Sequence, residues 1–107
     1  MIEEISAADA KKAMDNDGSI QLIDVRQPDE FAFAKIEGSK LIPLGDILKR
    51  MDELDPNHEA IIHCKMGGRS AKAIEMLKQA GYTGNLKNMK GGITAWSNEV
   101  DPTIPKY

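Results

Sequence analysis

The run Ala60-Ile61-Ile62-His63-Cys64-Lys65-Met66-Gly67-Gly68-Arg69-Ser70 changes character in mid-course. Its first four residues suit a short strand buried on both faces. A glycine-rich turn with basic residues opens at Cys64, and a helical pattern follows at once. Ala73, Ile74, Leu77 and Ala80 share one helical face, and Gly81 stands where a C-cap belongs. A buried strand running straight into a helix belongs to a parallel sheet, because parallel neighbours need a crossover and the helix supplies it.

The pattern repeats outward from that run. Ser6-Ala7-Ala8-Asp9 reads as an N-cap for a helix carrying Ala10, Ala13 and Met14, which Asp17-Gly18 stops. Ile20, Leu22, Ile23 and Val25 form a second buried strand, and Pro28-Asp29-Glu30 opens a short helix through about Ala34. Lys40-Leu41-Ile42 is a brief strand ended by Pro43. Ile47, Leu48, Met51 and Leu54 predict a helical stripe that stops before Asp55-Pro56-Asn57. After Gly81 come a weak strand over Asn85 to Asn88, the pair Gly91-Gly92, and a short helix with Ile93 and Trp96. Val100 to Tyr107 is expected to lie over the surface as a tail. Strands alternating with helices make an α/β protein whose ligands sit beyond the carboxyl ends of its strands, and Cys64 lies at one of them.

With 107 residues the chain fits one domain, and its net charge of −3 with no lysine or arginine block argues against nucleic-acid binding. No apolar run approaches membrane-spanning length and no secretory leader is read at Met1-Ile2-Glu3-Glu4. One cysteine forms no internal disulfide, and no Cys/His cluster has metal-ligand spacing, so a metal-free cytoplasmic domain is expected.

A lone cysteine is ordinarily a small buried hydrophobe. A core cysteine, however, has no use for Gly67-Gly68 behind it or for Lys65 and Arg69 around it. Backbone N–H groups at a turn and helix start favour negative charge, and such surroundings bring a thiol from about 8.5 to roughly 3.5–7.5. Cys64 therefore reads as a reactive thiolate. A histidine-assisted nucleophile is unsupported, since His63 points to the opposite face of the strand and His58 sits in a polar turn. A thiol–disulfide exchanger lacks its second cysteine. Two anion chemistries remain. Phosphotyrosine-type phosphatases place cysteine and arginine one residue further apart than Cys64 and Arg69, and the tighter loop suits an added sulfur better than a phosphate.

Three motifs give the chain a family resemblance. Asp24-Val25-Arg26 with Glu30-Phe31, Gly38 and Ile42-Pro43 is the first, and Cys64-Lys65-Met66-Gly67-Gly68-Arg69-Ser70 is the second. Gly91-Gly92-Ile93-Thr94-Ala95-Trp96 is the third. In this order they resemble a single-domain rhodanese, a sulfurtransferase, over residues 1–107. One stretch departs from the family pattern: Ala34-Lys35-Ile36-Glu37-Gly38-Ser39 lacks the histidine common there.

The resemblance implies a small doubly wound parallel sheet with helices on both faces. It implies Cys64 as the catalytic carrier of a persulfide, with no metal or separate cofactor. Lys65 and Arg69 would bind a small anionic donor such as thiosulfate, and the N–H groups of Met66, Gly67, Gly68, Arg69 and Ser70 would cradle the persulfide. Asp24 and Arg26 are expected to pair or cap near the sheet edge, with Glu30 in the same structural signature. Gly91 and Gly92 would form a tight turn, and Trp96 would anchor the core. The tail from Trp96 to Tyr107 is similar to the end of rhodanese domains fused behind adenylyltransferases, which implies a ubiquitin-like sulfur carrier or an adenylyltransferase domain as partner. The rival expectations are a non-catalytic anion- or partner-binding module and, less well matched, a cysteine phosphatase or arsenate reductase.

Overall fold

The computed structural model describes residues 2–107. Five strands form one sheet: β1 (Glu4–Ile5), β2 (Gln21–Asp24), β3 (Lys40–Leu41), β4 (Ala60–His63) and β5 (Leu86–Met89). Their order is β1-β5-β4-β2-β3, and every neighbouring pair is parallel. Helices α1 (Ala7–Asn16), α2 (Pro28–Phe33) and α3 (Gly68–Gln79) connect β1 to β2, β2 to β3 and β4 to β5, and α4 (Gly92–Glu99) follows β5. The expected doubly wound α/β fold is the observed one. Chain order reverses between β2 and β4, which puts the carboxyl ends of those two strands at the switch point where such sheets open a crevice.

Alternation along the strands sorts the core into two layers. Ile23, Val25, Ile62 and Cys64 face Ala73, Ile74 and Leu77 of α3, together with Ile47 and Leu54. Leu22, Ile61 and Met89 face Ala7 and Ala10 of α1, Ile93 and Trp96 of α4, and Ile36 and Ile104. Ile61 and Ile62 are both fully buried on opposite faces, each adding about 1.5–3 kcal/mol. That is why β4 reads as an unbroken apolar run rather than an alternating one.

Four details depart from the sequence reading. Residues 47–54 form no α-helix. Two 3₁₀ turns, Leu44–Asp46 and Met51–Glu53, lie in this region instead. They let Ile47 and Leu54 both reach the core while Leu48 stays exposed, and a segment this short nucleates poorly as an α-helix. Strand β1 carried no apolar signal and takes its bonds from pairing beside β5, Glu4 opposite Asn88. Helix α3 begins at Gly68, so the turn after Cys64 is only Lys65 to Gly67.

The last departure is the tail, which is docked rather than merely laid on the surface. Ile104 is buried in the second layer, and its carbonyl accepts a bond from Ser97 Oγ at 2.8 Å. No helix among the described residues is long and apolar enough to cross a membrane.

Candidate active site

Cys64 follows the last residue of β4, and the chain reverses within three residues to enter α3. Gly67 takes φ +114°, a left-handed conformation that side chains disfavour, and this turns its N–H onto Cys64 Sγ at 3.1 Å. The expected need for two loop glycines is corrected here: Gly68 has no positive φ and open space around it, so only Gly67 is demanded by geometry. Of the five backbone N–H groups expected around the sulfur, those of Met66, Gly67 and Ser70 face it. The N–H groups of Gly68 and Arg69 form no hydrogen bond to it. Burial of Cys64, 1% exposed, pushes its pKa up, but the Ser70 hydroxyl and the three N–H groups pull harder the other way. The thiol is held below its ordinary value.

The Ser70 hydroxyl has one proton and three acceptors in reach: Asn88 Oδ1 at 2.5 Å, Gly67 O at 3.2 Å and Cys64 Sγ at 3.3 Å. While Cys64 is a thiol, the proton serves Asn88 and the sulfur can donate to Ser70 Oγ. Once the thiolate forms, a charge-assisted bond competes for that proton. Ser70→Ala is thus expected to move the pH profile of Cys64 alkylation by iodoacetamide to higher pH. The rate at neutral pH should fall roughly tenfold, the scale of one hydrogen bond to a charged group. An unmoved profile would mean that the hydroxyl stays with Asn88.

Asn88 itself was not singled out from the sequence. Its Nδ2 donates to Gly67 O at 3.2 Å and to Glu4 Oε2 at 3.2 Å, which ties the turn to β5 and the sheet edge. The signal in the sequence was an amide inside a stretch read as a strand; the structure leaves it 2% exposed, where an unpaired amide would be costly. Gly91 and Gly92 do more than turn the chain. Ile93 N–H donates to Cys64 O at 2.9 Å and Thr94 N–H to Lys65 O at 3.2 Å, so the head of α4 grips the carbonyls of the cysteine turn. A Cβ on Gly92 would run into the Cys64 and Lys65 backbone, and φ is +58° there. The third motif is therefore a brace for the second.

Behind the cysteine lies a buried polar group. Arg26 and Asp24 are both 0% exposed and pair through Nη2–Oδ2 at 2.7 Å, with Nε donating to both carboxylate oxygens at 3.0 Å. Arg26 Nη2 also donates to Ala34 O at 2.6 Å. The pairing near the sheet edge was anticipated: β2 is the strand next to the edge strand β3, with Asp24 opposite Leu41. His63 lies beside Asp24, Nε2 to Oδ2 3.8 Å, on the face opposite Cys64. Burial drives its pKa below the usual value against the pull of Asp24, so a neutral imidazole sits there and no base reaches the thiol.

Over the mouth of the site Arg69 is not free. Its Nη1 and Nη2 donate to Glu30 Oε1 and Oε2 at 2.6 and 2.9 Å. The Arg69 fork, helped by the Tyr107 hydroxyl and the Gln27 N–H, outweighs the opposing effect of burial and holds Glu30 at about 2. Glu30 also accepts the Gln27 N–H at 3.0 Å, capping α2, and the Tyr107 hydroxyl at 2.7 Å. Arg26 Nη1 donates to that hydroxyl at 2.8 Å. Lys65 Nζ lies 4.5 Å from the centre of the Tyr107 ring, and Phe33 packs edge-on against the same ring at 5.8 Å. The family resemblance implies one shared task for Arg69 and Lys65. The structure separates them: Arg69 holds an internal carboxylate, and Lys65 has no acidic partner among the described residues.

Trp96 is buried in the second layer, away from this mouth, and Met66 is 62% exposed beside Lys65. Two cavities of about 390 and 380 Å³ lie elsewhere, one beside Met14, Ile36 and Trp96 and the other beside Leu54 and Tyr82. Among the described residues no cluster of His, Cys, Asp and Glu could hold a metal.

Residues 6–99 match the rhodanese-like domain family. A putative sulfurtransferase of Bacillus subtilis, YtwF, is 36% identical over 101 residues, which cover 94% of this chain and 96% of that one. The Mycobacterium tuberculosis protein MoeZ, named a probable adenylyltransferase/sulfurtransferase, is 32% identical over 105 residues, 96% of this chain but 26% of that one. Several other curated relatives are likewise longer, and the chain spans 22–54% of them. A rhodanese-like domain protein from Staphylococcus aureus superposes with a TM-score of 0.83 at 29% identity, over 99% of both chains.

Proposed function

Because the chain belongs to the rhodanese-like domain family, we propose that it is a sulfurtransferase that carries sulfane sulfur as a persulfide on Cys64. One observation carries this reading. The sole cysteine stands at the end of β4, facing the turn into α3, with Gly67 N–H on its sulfur at 3.1 Å and a lowered pKa, and with no histidine on its side of the sheet among the described residues. Activation by fixed N–H dipoles rather than by a histidine is what a persulfide carrier needs, since both states of the cargo are anionic sulfur.

In the first half-reaction the Cys64 thiolate attacks the outer sulfur of thiosulfate. A new S–S bond forms, the bond to the sulfonate sulfur breaks, and sulfite leaves with the electron pair. In the second, cyanide attacks the terminal sulfur of the persulfide, thiocyanate departs, and the thiolate returns. Lys65, at the mouth, draws the anionic donor in. The Met66, Gly67 and Ser70 N–H groups would take up the charge of the outer sulfur as they now take up that of the thiolate.

The acceptor in the cell is proposed to be a ubiquitin-like sulfur carrier activated by an adenylyltransferase. The likeness to MoeZ and the docked Val100–Tyr107 tail support this. A reducing cytoplasm is the setting in which such a thiol stays available. The test sets two substrates side by side. Thiosulfate with cyanide should give thiocyanate, whereas an aryl phosphate should not be hydrolysed. Phosphate release without thiocyanate would replace this reading by a phosphatase.

A further inference from the structure

We propose that Glu30, held in place by Tyr107, is a specificity-determining residue: it occupies Arg69 as an internal anion and so turns the site against donors that carry a sulfonate, in favour of persulfide donors without one. This rests on the sulfur-transfer reading of Cys64. The geometry is that of an anion site already filled. Arg69 presents a two-pronged fork at 2.6 and 2.9 Å to a carboxylate, the arrangement with which it would otherwise grip an oxyanion.

Glu30 is not free to swing away. Its Oε1 also caps α2 through the Gln27 N–H, and its Oε2 also accepts from the Tyr107 hydroxyl. The tyrosine hydroxyl is fixed in turn by Arg26, whose side chain is entirely buried. Held at about 2, Glu30 stays charged at every physiological pH, so a doubly charged thiosulfate meets a fixed negative charge where the loop's arginine should help it. Among the described residues Lys65 has no carboxylate partner, and its ammonium is screened on one side by the Tyr107 ring. The rim around it is apolar: Phe33, Met66 and Tyr107 are three of the four exposed large hydrophobic side chains among the described residues. A persulfide borne on an organic thiol lacks the sulfonate and suits this mouth better.

The experiment compares wild type, Glu30→Gln and Tyr107→Phe with thiosulfate and with the hydropersulfide of 2-mercaptoethanol. The readout is the ratio of kcat/KM for the two donors. Glu30→Gln keeps the cap on Gln27 but removes the charge. It should raise the thiosulfate-to-hydropersulfide ratio by about tenfold or more, through a lower KM for thiosulfate, and should steepen the salt dependence of thiosulfate turnover. Tyr107→Phe removes only the hydroxyl that holds Glu30 and should move the ratio the same way by a few-fold. It decides the matter if the glutamine variant melts far below wild type. A ratio unchanged in both variants, or a raised KM for thiosulfate, overturns the proposal. Failure of wild type to take sulfur on Cys64 from either donor would instead strike at the sulfur-transfer reading itself.

Discussion

Cys64→Ser is expected to make no thiocyanate above the uncatalysed rate while unfolding at nearly the wild-type temperature. The two side chains have almost the same shape, and the serine oxygen can take the same Gly67 N–H and Ser70 contacts that now surround the sulfur. What disappears is the chemistry. A hydroxyl gives no appreciable alkoxide in a cradle that merely lowers a thiol's pKa, and oxygen forms no stable bond to sulfane sulfur that could store the cargo. No second cysteine exists to take over. Thiosulfate–cyanide kinetics and a thermal melt on the same preparation test both halves. Residual turnover with an intact melt would mean that sulfur passes without a cysteine carrier.

Asp24→Ala should be the most destabilising single change near the site, by about 3–5 kcal/mol. The Arg26 guanidinium is wholly buried, and Asp24 supplies its carboxylate, accepting from Nε, from Nη2 and from the Arg26 backbone N–H at 2.9 Å. Burial acts to lower the Arg26 pKa, and the Asp24 bonds overcome it. Without them a buried charge has lost its counter-ion. Domains of this size are stable by only about 5–15 kcal/mol, so the loss would consume much of the margin. Urea denaturation measures it, with Asp24→Asn as the milder comparison because it keeps an acceptor for the backbone N–H. A change below about 1 kcal/mol would show that Arg26 finds other partners, the Ala34 carbonyl first among them.

What could be read from the residues is what is local in sequence. The β4 run, the turn and the face of α3 are contiguous, so period and glycine placement were enough to place Cys64 at a strand end. The layered fold followed from strands and helices in alternation. Contacts made across the chain left no such mark. Asn88 reaches Ser70 and Gly67 only because β5 lies beside β4, and nothing in Leu86-Lys87-Asn88-Met89 announces that register. The family resemblance assigns Arg69 to anion binding from its place in the cysteine loop, whereas Glu30, 39 residues away, claims it in space. The same holds for Tyr107, whose place over Lys65 depends on how Ile104 docks under α4. Residues 47–54 failed for a different reason: their helical spacing is real, but tertiary pinning of Ile47 and Leu54 overrode it.

The most direct measurement is the intact mass of the wild-type protein after incubation with thiosulfate, and in parallel with an organic hydropersulfide, beside Cys64→Ser. A gain of one sulfur atom on the wild type, absent from the variant and removed by cyanide as thiocyanate, is the expected result. A wild-type mass that stays unchanged with both donors would contradict the persulfide carrier and leave Cys64 as the floor of a binding cradle.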